Sequence, residues 1–204
     1  ISVMKKEKLW GWFLHSSLVV NLTINIYAIF QLTGKLEIHQ GSTRLDATLG
    51  NSSYLAVYGL VHIFLLAFLI FRLINNTHWR EKLSQRLLGV SYLILLLLNL
   101  FILYKTETRG AILGLIGGAL VMALWLAIFS ATPEQKRIRR YAVGSLIVLI
   151  ILIGSFFVAR NSNFVRSDQT LARLAAISLD EKTTRSRFMV WEMGWQGFKE
   201  RPIL

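Results

Sequence analysis

Residues 106–130 read TETRGAILGLIGGALVMALWLAIFS. Beyond Arg109 this stretch runs for 21 residues without a charge. A hydrocarbon core about 30 Å thick is spanned by roughly 20 helical residues. The run shows no alternation of apolar and polar positions, and lipid cannot satisfy free backbone groups. A membrane-spanning helix is therefore the structure it predicts.

Four more runs of this kind lie around it. Together the spans fall at about 9–32, 53–74, 87–104, 110–130 and 141–159. Of the 204 residues 54% are hydrophobic and 17% charged, against roughly 45–50% and about 25% in soluble domains. That clustering excludes a disordered chain, a disulfide scaffold and an ordinary soluble globule. There is no Cys, hence no structural disulfide, thiolate zinc site or Cys nucleophile. The two prolines leave the long apolar helices without proline kinks. The expected fold is all-α: a polytopic helical membrane bundle over residues 1–159, then a polar helical segment over 160–204. The chain begins at Ile1 and stops just after Pro202, which reads as part of a longer protein.

A net charge of +12 in a soluble protein would suggest nucleic acid. Here the cations lie between the spans, where they orient a membrane protein instead. The head and the second and fourth connections carry 11 Lys or Arg, among them Lys5, Lys6, Arg80, Arg86 and Arg137. The first and third connections carry 4: Lys35, Arg44, Lys105 and Arg109. The positive-inside rule then puts the head in the cytoplasm, with the first and third connections and the tail facing outward.

Between these ends the spans hold no charge in their central parts, only His15, Asn21, Asn25, His62 and Asn99. A proton relay through His15 and His62 is one reading; neutral hydrogen bonds between helices are the plainer one. Asn21 and Asn25, one turn apart, share a face and mark a helix contact. Gly110, Gly114 and Gly118, with Gly117 beside them, suit close helix packing, or else a groove for a lipid tail. Trp10, Trp12, Tyr92, Trp125 and Tyr141 lie near span ends and fit an interfacial aromatic belt.

The outward connections carry the chemistry. Arg44 opens Arg44-Leu45-Asp46-Ala47-Thr48-Leu49-Gly50-Asn51 directly before the second span, and Arg109 stands directly before the fourth. A helix N-terminus offers N–H groups and a partial positive charge, so Arg109 and its helix both favour an anion. A guanidinium donates two parallel bonds to phosphate. Arg44, Arg109 and Arg187 can therefore form a diphosphate clamp. Equally, each can snorkel or pair locally, Arg44 with Asp46, Arg109 with Glu107 and Arg187 with Glu192. The tail reads as two helical pieces, one with Leu171, Leu174 and Ile177 as its stripe. In the other, Arg187, Trp191 and Trp195 share a face, and Pro202 ends it. That second piece suits the membrane surface or the mouth of the bundle.

These patches, in this order on this topology, resemble the O-antigen ligase and O-antigen polymerase superfamily. The matching pieces are Arg44 followed by Leu49-Gly50-Asn51 and Leu55-Ala56, then Thr108-Arg109-Gly110-Ala111 opening an apolar helix. Arg187 with Trp191 completes the set, ending in Arg201-Pro202-Ile203-Leu204. In the family that last stretch continues into a Gly-x-Gly segment, which this chain lacks. The resemblance covers most of residues 40–204.

It implies an inner-membrane glycosyltransferase that takes a glycan from an undecaprenyl-diphosphate carrier at the periplasmic face. The acceptor would be lipid A-core, a growing polymer or a protein hydroxyl. No nucleotide sugar, metal or other cofactor is implied, nor any nucleic-acid partner. The family's essential arginines fall at Arg44, Arg109 and Arg187; Asn51, Arg185 and Trp191 are the candidate substrate contacts around them. A periplasmic His normally follows beyond the position of Leu204, and His39 matches no family motif. Fixed cations would stabilise the charge that grows on the diphosphate as the sugar–oxygen bond breaks. A polymerase or protein glycosylator of the same superfamily is the nearest alternative. A flippase for polyprenyl-linked glycans is the alternative of another class, and a non-catalytic scaffold is the third. Coupled transport calls for ionisable groups at the midplane, and these spans carry no acid or Lys/Arg there.

Overall fold

The computed structural model describes residues 7–39, 44–75, 82–130, 136–177 and 182–202. Lys5, Lys6, Arg80, Ile203 and Leu204, which enter the charge count or the C-terminal motif, lie outside them. Among the described residues every regular element is helical. Five long helices come first: α1 (Glu7–Leu32), α2 (Ser52–Ile74), α3 (Leu83–Lys105), α4 (Arg109–Phe129) and α5 (Lys136–Ala159), with a single 3-10 turn, Ala47–Leu49, before α2. Three shorter ones follow: α6 (Asn163–Ser167), α7 (Gln169–Ala175) and α8 (Lys182–Glu200).

All five long helices are long and apolar enough to cross a membrane. The protein is an all-α, multi-pass membrane protein, as the sequence predicts. The helices outrun the apolar runs at their basic ends. α3 starts at Leu83 rather than 87, and α5 at Lys136 rather than 141, because lysines and arginines are good helix formers beyond the hydrocarbon edge.

By packing, the chain divides into residues 1–151 and 152–204, with the division inside α5. In the first unit α2 and α3 make the most extensive helix pair, and α1 lies against both. Leu18, Leu66, Leu69, Tyr92 and Leu95 form one core cluster among α1, α2 and α3. Ala28, Leu45, Ala47, Leu55 and Ile102 form a second, which draws in the 3-10 turn. Ala56, Ile63, Leu103 and Ala111 bring in the start of α4.

The Gly110–Gly118 stripe serves this packing at two of its positions. A Cβ at Gly114 would lie 3.2 Å from Leu60 of α2, and one at Gly118 only 2.5 Å from Phe64; Gly110 and Gly117 face open space. Most of α4 stays open. In its apolar window 6% of residues are buried, against 39% for α2, so its remaining faces suit lipid or further helices.

Polar side chains inside the bundle are matched in pairs. Asn21 of α1 donates to Asn99 Oδ1 of α3 at 3.0 Å, and Asn99 donates back at 2.8 Å. Asn25 donates to Asn21 Oδ1 at 3.2 Å. His62 lies 2.8 Å from the Tyr58 carbonyl through Nδ1 and 2.9 Å from Ser17 Oγ through Nε2. A carbonyl can only accept, so Nδ1 carries the proton and the Ser17 hydroxyl donates. His15 repeats the arrangement with the Gly11 carbonyl and the Tyr92 hydroxyl, at 2.6 and 2.8 Å. Each ring has a partner on both nitrogens, as interhelical hydrogen bonding requires. Tyr92 is accordingly buried, not part of an interfacial belt; its hydroxyl has a partner inside the bundle. Trp10, Trp12, Trp125 and Tyr141 are exposed, as a lipid-facing belt demands.

In the second unit Ser162 Oγ accepts from Val165 N and Asp168 Oδ1 accepts from Leu171 N. These two caps start α6 and α7; α7 carries Leu171 and Leu174 of the expected stripe, and α6 is an additional short helix before it. α8 ends at Glu200, before Pro202.

Candidate functional site

The connection between α1 and α2 is built on a buried carboxylate. Asp46 is fully buried and does not cap the 3-10 turn that follows it. Its Oδ1 instead accepts from Gln31 Nε2 at 2.7 Å, and its Oδ2 from the His39 backbone N–H at 2.9 Å. Gln31, at the end of α1, also donates to the Glu37 carbonyl at 2.8 Å and accepts from Ala47 N–H at 2.8 Å. A buried charge is costly unless hydrogen-bonded, so this clamp both satisfies Asp46 and fixes the path of residues 37–47. The exposed His39 ring approaches Asp46 Oδ1 at 3.5 Å.

Asn51 ends the connection by capping α2, its Oδ1 accepting from Ser53 N–H at 2.8 Å. Gly50 makes the bend before it in the left-handed region, at φ 64°, where a side chain would be strained.

Arg44 leaves this clamped segment and reaches the connection between α3 and α4. Its Nε donates to the Thr106 carbonyl at 2.9 Å and a terminal nitrogen donates to Thr108 Oγ1 at 2.9 Å. Both acceptors are neutral. Thr106 is itself held, fully buried, by its hydroxyl on the Leu103 carbonyl at 2.7 Å. Glu107 turns the chain in the left-handed region, at φ 53°, and α4 begins two residues later.

Thr108 is the N-cap residue of α4, yet its side chain makes no capping bond. Its hydroxyl accepts from Arg44 and lies within donating reach of the Ser52 carbonyl at 3.4 Å and the Thr106 carbonyl at 3.3 Å. A residue type favoured at N-caps for its bond to the helix N–H groups is here turned to an arginine. Arg109, half-buried, is the first residue of α4. Two of the three arginines singled out in the sequence are thus tied to one structural junction: Arg44 by direct bonds to Thr106 and Thr108, Arg109 as the next residue in the chain. The other cations at this end are stowed differently. Lys35 lies over the Phe30 ring and Lys105 over the Phe101 ring, at 5.6 and 5.9 Å.

Arg185, Arg187 and Trp191 stand on α8, in the second unit, with exposed side chains. Trp191 meets Phe188 edge-on, with ring centroids 5.9 Å apart. No group of three His, Cys, Asp or Glu side chains able to hold a metal is present among the described residues.

Gln31 and Thr106 carry the architecture of the site and were not singled out from the sequence. Gln31 is one polar residue at the end of an apolar run. Only the carboxylate fifteen residues later gives it a purpose.

Five helices long and apolar enough to cross a membrane, with a hydrogen-bonded arginine junction between two of their connections, define a polytopic membrane protein. A family model described as O-antigen ligase matches residues 93–204, and the chain belongs to that family. No curated protein and no solved structure matches the chain. Family membership supports ligase- or polymerase-type chemistry on glycan or lipid-linked substrates.

Proposed function

We propose that this protein is an O-antigen ligase-like glycosyltransferase. It moves a glycan from undecaprenyl diphosphate to lipid A-core, or a related acceptor, at the periplasmic face of the inner membrane. The observation that carries the reading is the Arg44 bridge to Thr106 and Thr108, which anchors one guanidinium on the residue that precedes Arg109 at the start of α4.

In the proposed reaction the acceptor hydroxyl oxygen attacks the anomeric carbon while the bond to the diphosphate oxygen breaks, and the hydroxyl proton passes to water or to the departing diphosphate. The electron pair leaves on the diphosphate. Arg44 and Arg109 meet that growing charge, and the N-terminus of α4 adds its partial positive charge. Arg187, on α8, is the third arginine whose charge the proposed reaction requires. Asn51, Arg185 and Trp191 contribute substrate contacts. Preorganisation matters because an arginine already held on the Thr106 carbonyl and the Thr108 hydroxyl need not reorganise as charge develops.

The test is complementation of a strain that lacks its own ligase, with protein level in the membrane fraction as control. The wild-type protein restores glycan on lipid A-core. Arg44→Ala, Arg109→Ala and Arg187→Ala each lower attachment on the order of 10²–10³-fold, as loss of an electrostatic donor does elsewhere. Longer glycan on the carrier without attachment would make the protein a polymerase. Glycan delivered across the membrane without transfer would make it a transporter.

A further inference from the structure

α8 carries four aromatic rings on one side. Phe188, Trp191, Trp195 and Phe198 are spaced three, four and three residues apart, which keeps them on one helical face. All four are open: Phe188 is 51% exposed, Trp191 70%, Trp195 57% and Phe198 54%. Trp195 and Phe198 lie nearly parallel, with ring planes 20° apart and centroids at 5.7 Å.

Cations edge this face. Arg187 borders it on one side and Lys199 on the other, where its ammonium sits 5.5 Å from the Trp195 ring. The opposite side holds Ser186, Met189, Met193 and Gln196. Over residues 182–201 five Lys or Arg stand against two Glu, so the helix is attracted to an anionic surface.

We infer that α8 lies in the plane of the bilayer surface, its aromatic face sunk to the headgroup–acyl boundary of anionic phospholipid and its cations among the phosphates. Three observations support this occupant. Tryptophan prefers that boundary because its ring is apolar and its N–H polar. The flanking cations match anionic headgroups. The chain has five helices long and apolar enough to cross a membrane, so a lipid surface is at hand. A consequence that rests on the transferase reading is that Arg187 stands at the depth of lipid phosphates, where a polyprenyl diphosphate carries its charge.

The sequence contains no Cys, so single spin labels can be placed without background. The protein is reconstituted in nanodiscs containing phosphatidylglycerol and labelled one site at a time. Trp191→Cys, Trp195→Cys and Phe198→Cys report the aromatic face; Ser186→Cys, Met193→Cys and Gln196→Cys report the other. All six positions are exposed, so the substitutions leave the packed core intact. Collision with lipid-soluble oxygen should exceed collision with a water-soluble nickel chelate on the aromatic face, and the ratio should invert on the opposite face. Equal, water-like ratios on both faces would overturn the inference. So would aromatic-face labels that are immobile and closed to both reagents, which would show protein packed on them. Labels that leave water only when a lipid-linked glycan is added would assign the face to sugar instead. The readout is depth, not transfer, so labels that place α8 in lipid, together with an unlabelled wild-type protein that transfers no glycan, would refute the transferase reading alone.

Discussion

Thr108→Val removes one hydroxyl and keeps the shape of the side chain. In the structure that hydroxyl is the acceptor for a terminal nitrogen of Arg44 at 2.9 Å, with the Ser52 and Thr106 carbonyls in reach on its other side. It makes no capping bond to α4. The usual loss on removing an N-cap side chain, about 0.5–2 kcal/mol, is therefore not expected in the stability of the bundle. The loss falls on the placement of Arg44. A hydrogen bond to a charged group contributes about 1.5–3 kcal/mol. If that placement is used fully in the transition state, transfer slows by about 10- to 150-fold, at roughly 1.4 kcal/mol per decade. The assay is glycan transfer by purified protein in nanodiscs, with melting temperature measured in parallel. Thr108→Ser keeps the hydroxyl and should keep most of the rate. Two results refute the reasoning: a Thr108→Val protein that transfers at the wild-type rate, or a Thr108→Ser protein that falls as far as the valine variant.

Other consequences concern the scaffold. Asp46→Ala removes the acceptor of the His39 N–H and of one of the two Gln31 Nε2 protons, the other staying on the Glu37 carbonyl, at about 1–3 kcal/mol for each N–H left without a partner; a lower melting temperature with lower transfer is expected. Asn99→Leu breaks the reciprocal amide pair with Asn21 and should cost about 0.6–2 kcal/mol, as interhelical hydrogen bonds in membranes do. The double variant Asn21→Leu/Asn99→Leu should lose less than the sum of the single variants, and strict additivity in thermal unfolding would count against the pair. Gly118→Ala drives a methyl into Phe64, whereas Gly117→Ala meets open space. The first should destabilise by about 1–3 kcal/mol, typical of overpacking, and the second should be neutral or slightly stabilising. Equal melting temperatures for the two variants would contradict the packing of α4 on α2.

Much of this architecture is legible in the residues because the bilayer imposes a length and a polarity on each span. The five apolar runs become the five long helices, with ends displaced by a few residues where basic side chains extend the helix past the hydrocarbon. Asn21 and Asn25 were readable as a contact face because one turn separates them. Their partner Asn99 was not, since pairing across α1 and α3 depends on the rotation of both helices. Tyr92 misleads for the same reason: a tyrosine near the end of a span suits the interface until a histidine on another helix takes its hydroxyl. The arginine junction divides similarly. Arg44 and Arg109 stand out as cations on the less basic side of the membrane. That Arg44 would choose the Thr106 carbonyl and the Thr108 hydroxyl, more than sixty residues away, follows only from how α2, α3 and α4 pack. The break between α6 and α7 turns on the side chain of Asp168, whose capping bond competes with helix continuation.

The central claim is that Arg44 and Arg109 grip a lipid-borne diphosphate. Direct binding of undecaprenyl diphosphate and undecaprenyl monophosphate to the purified protein, measured by native mass spectrometry from nanodiscs, examines it without requiring turnover. The wild-type protein should retain the diphosphate in preference to the monophosphate, and Arg44→Ala and Arg109→Ala should each lose that preference while staying folded. Equal retention of both lipids by the wild type, or an undiminished preference in both alanine variants, would contradict it.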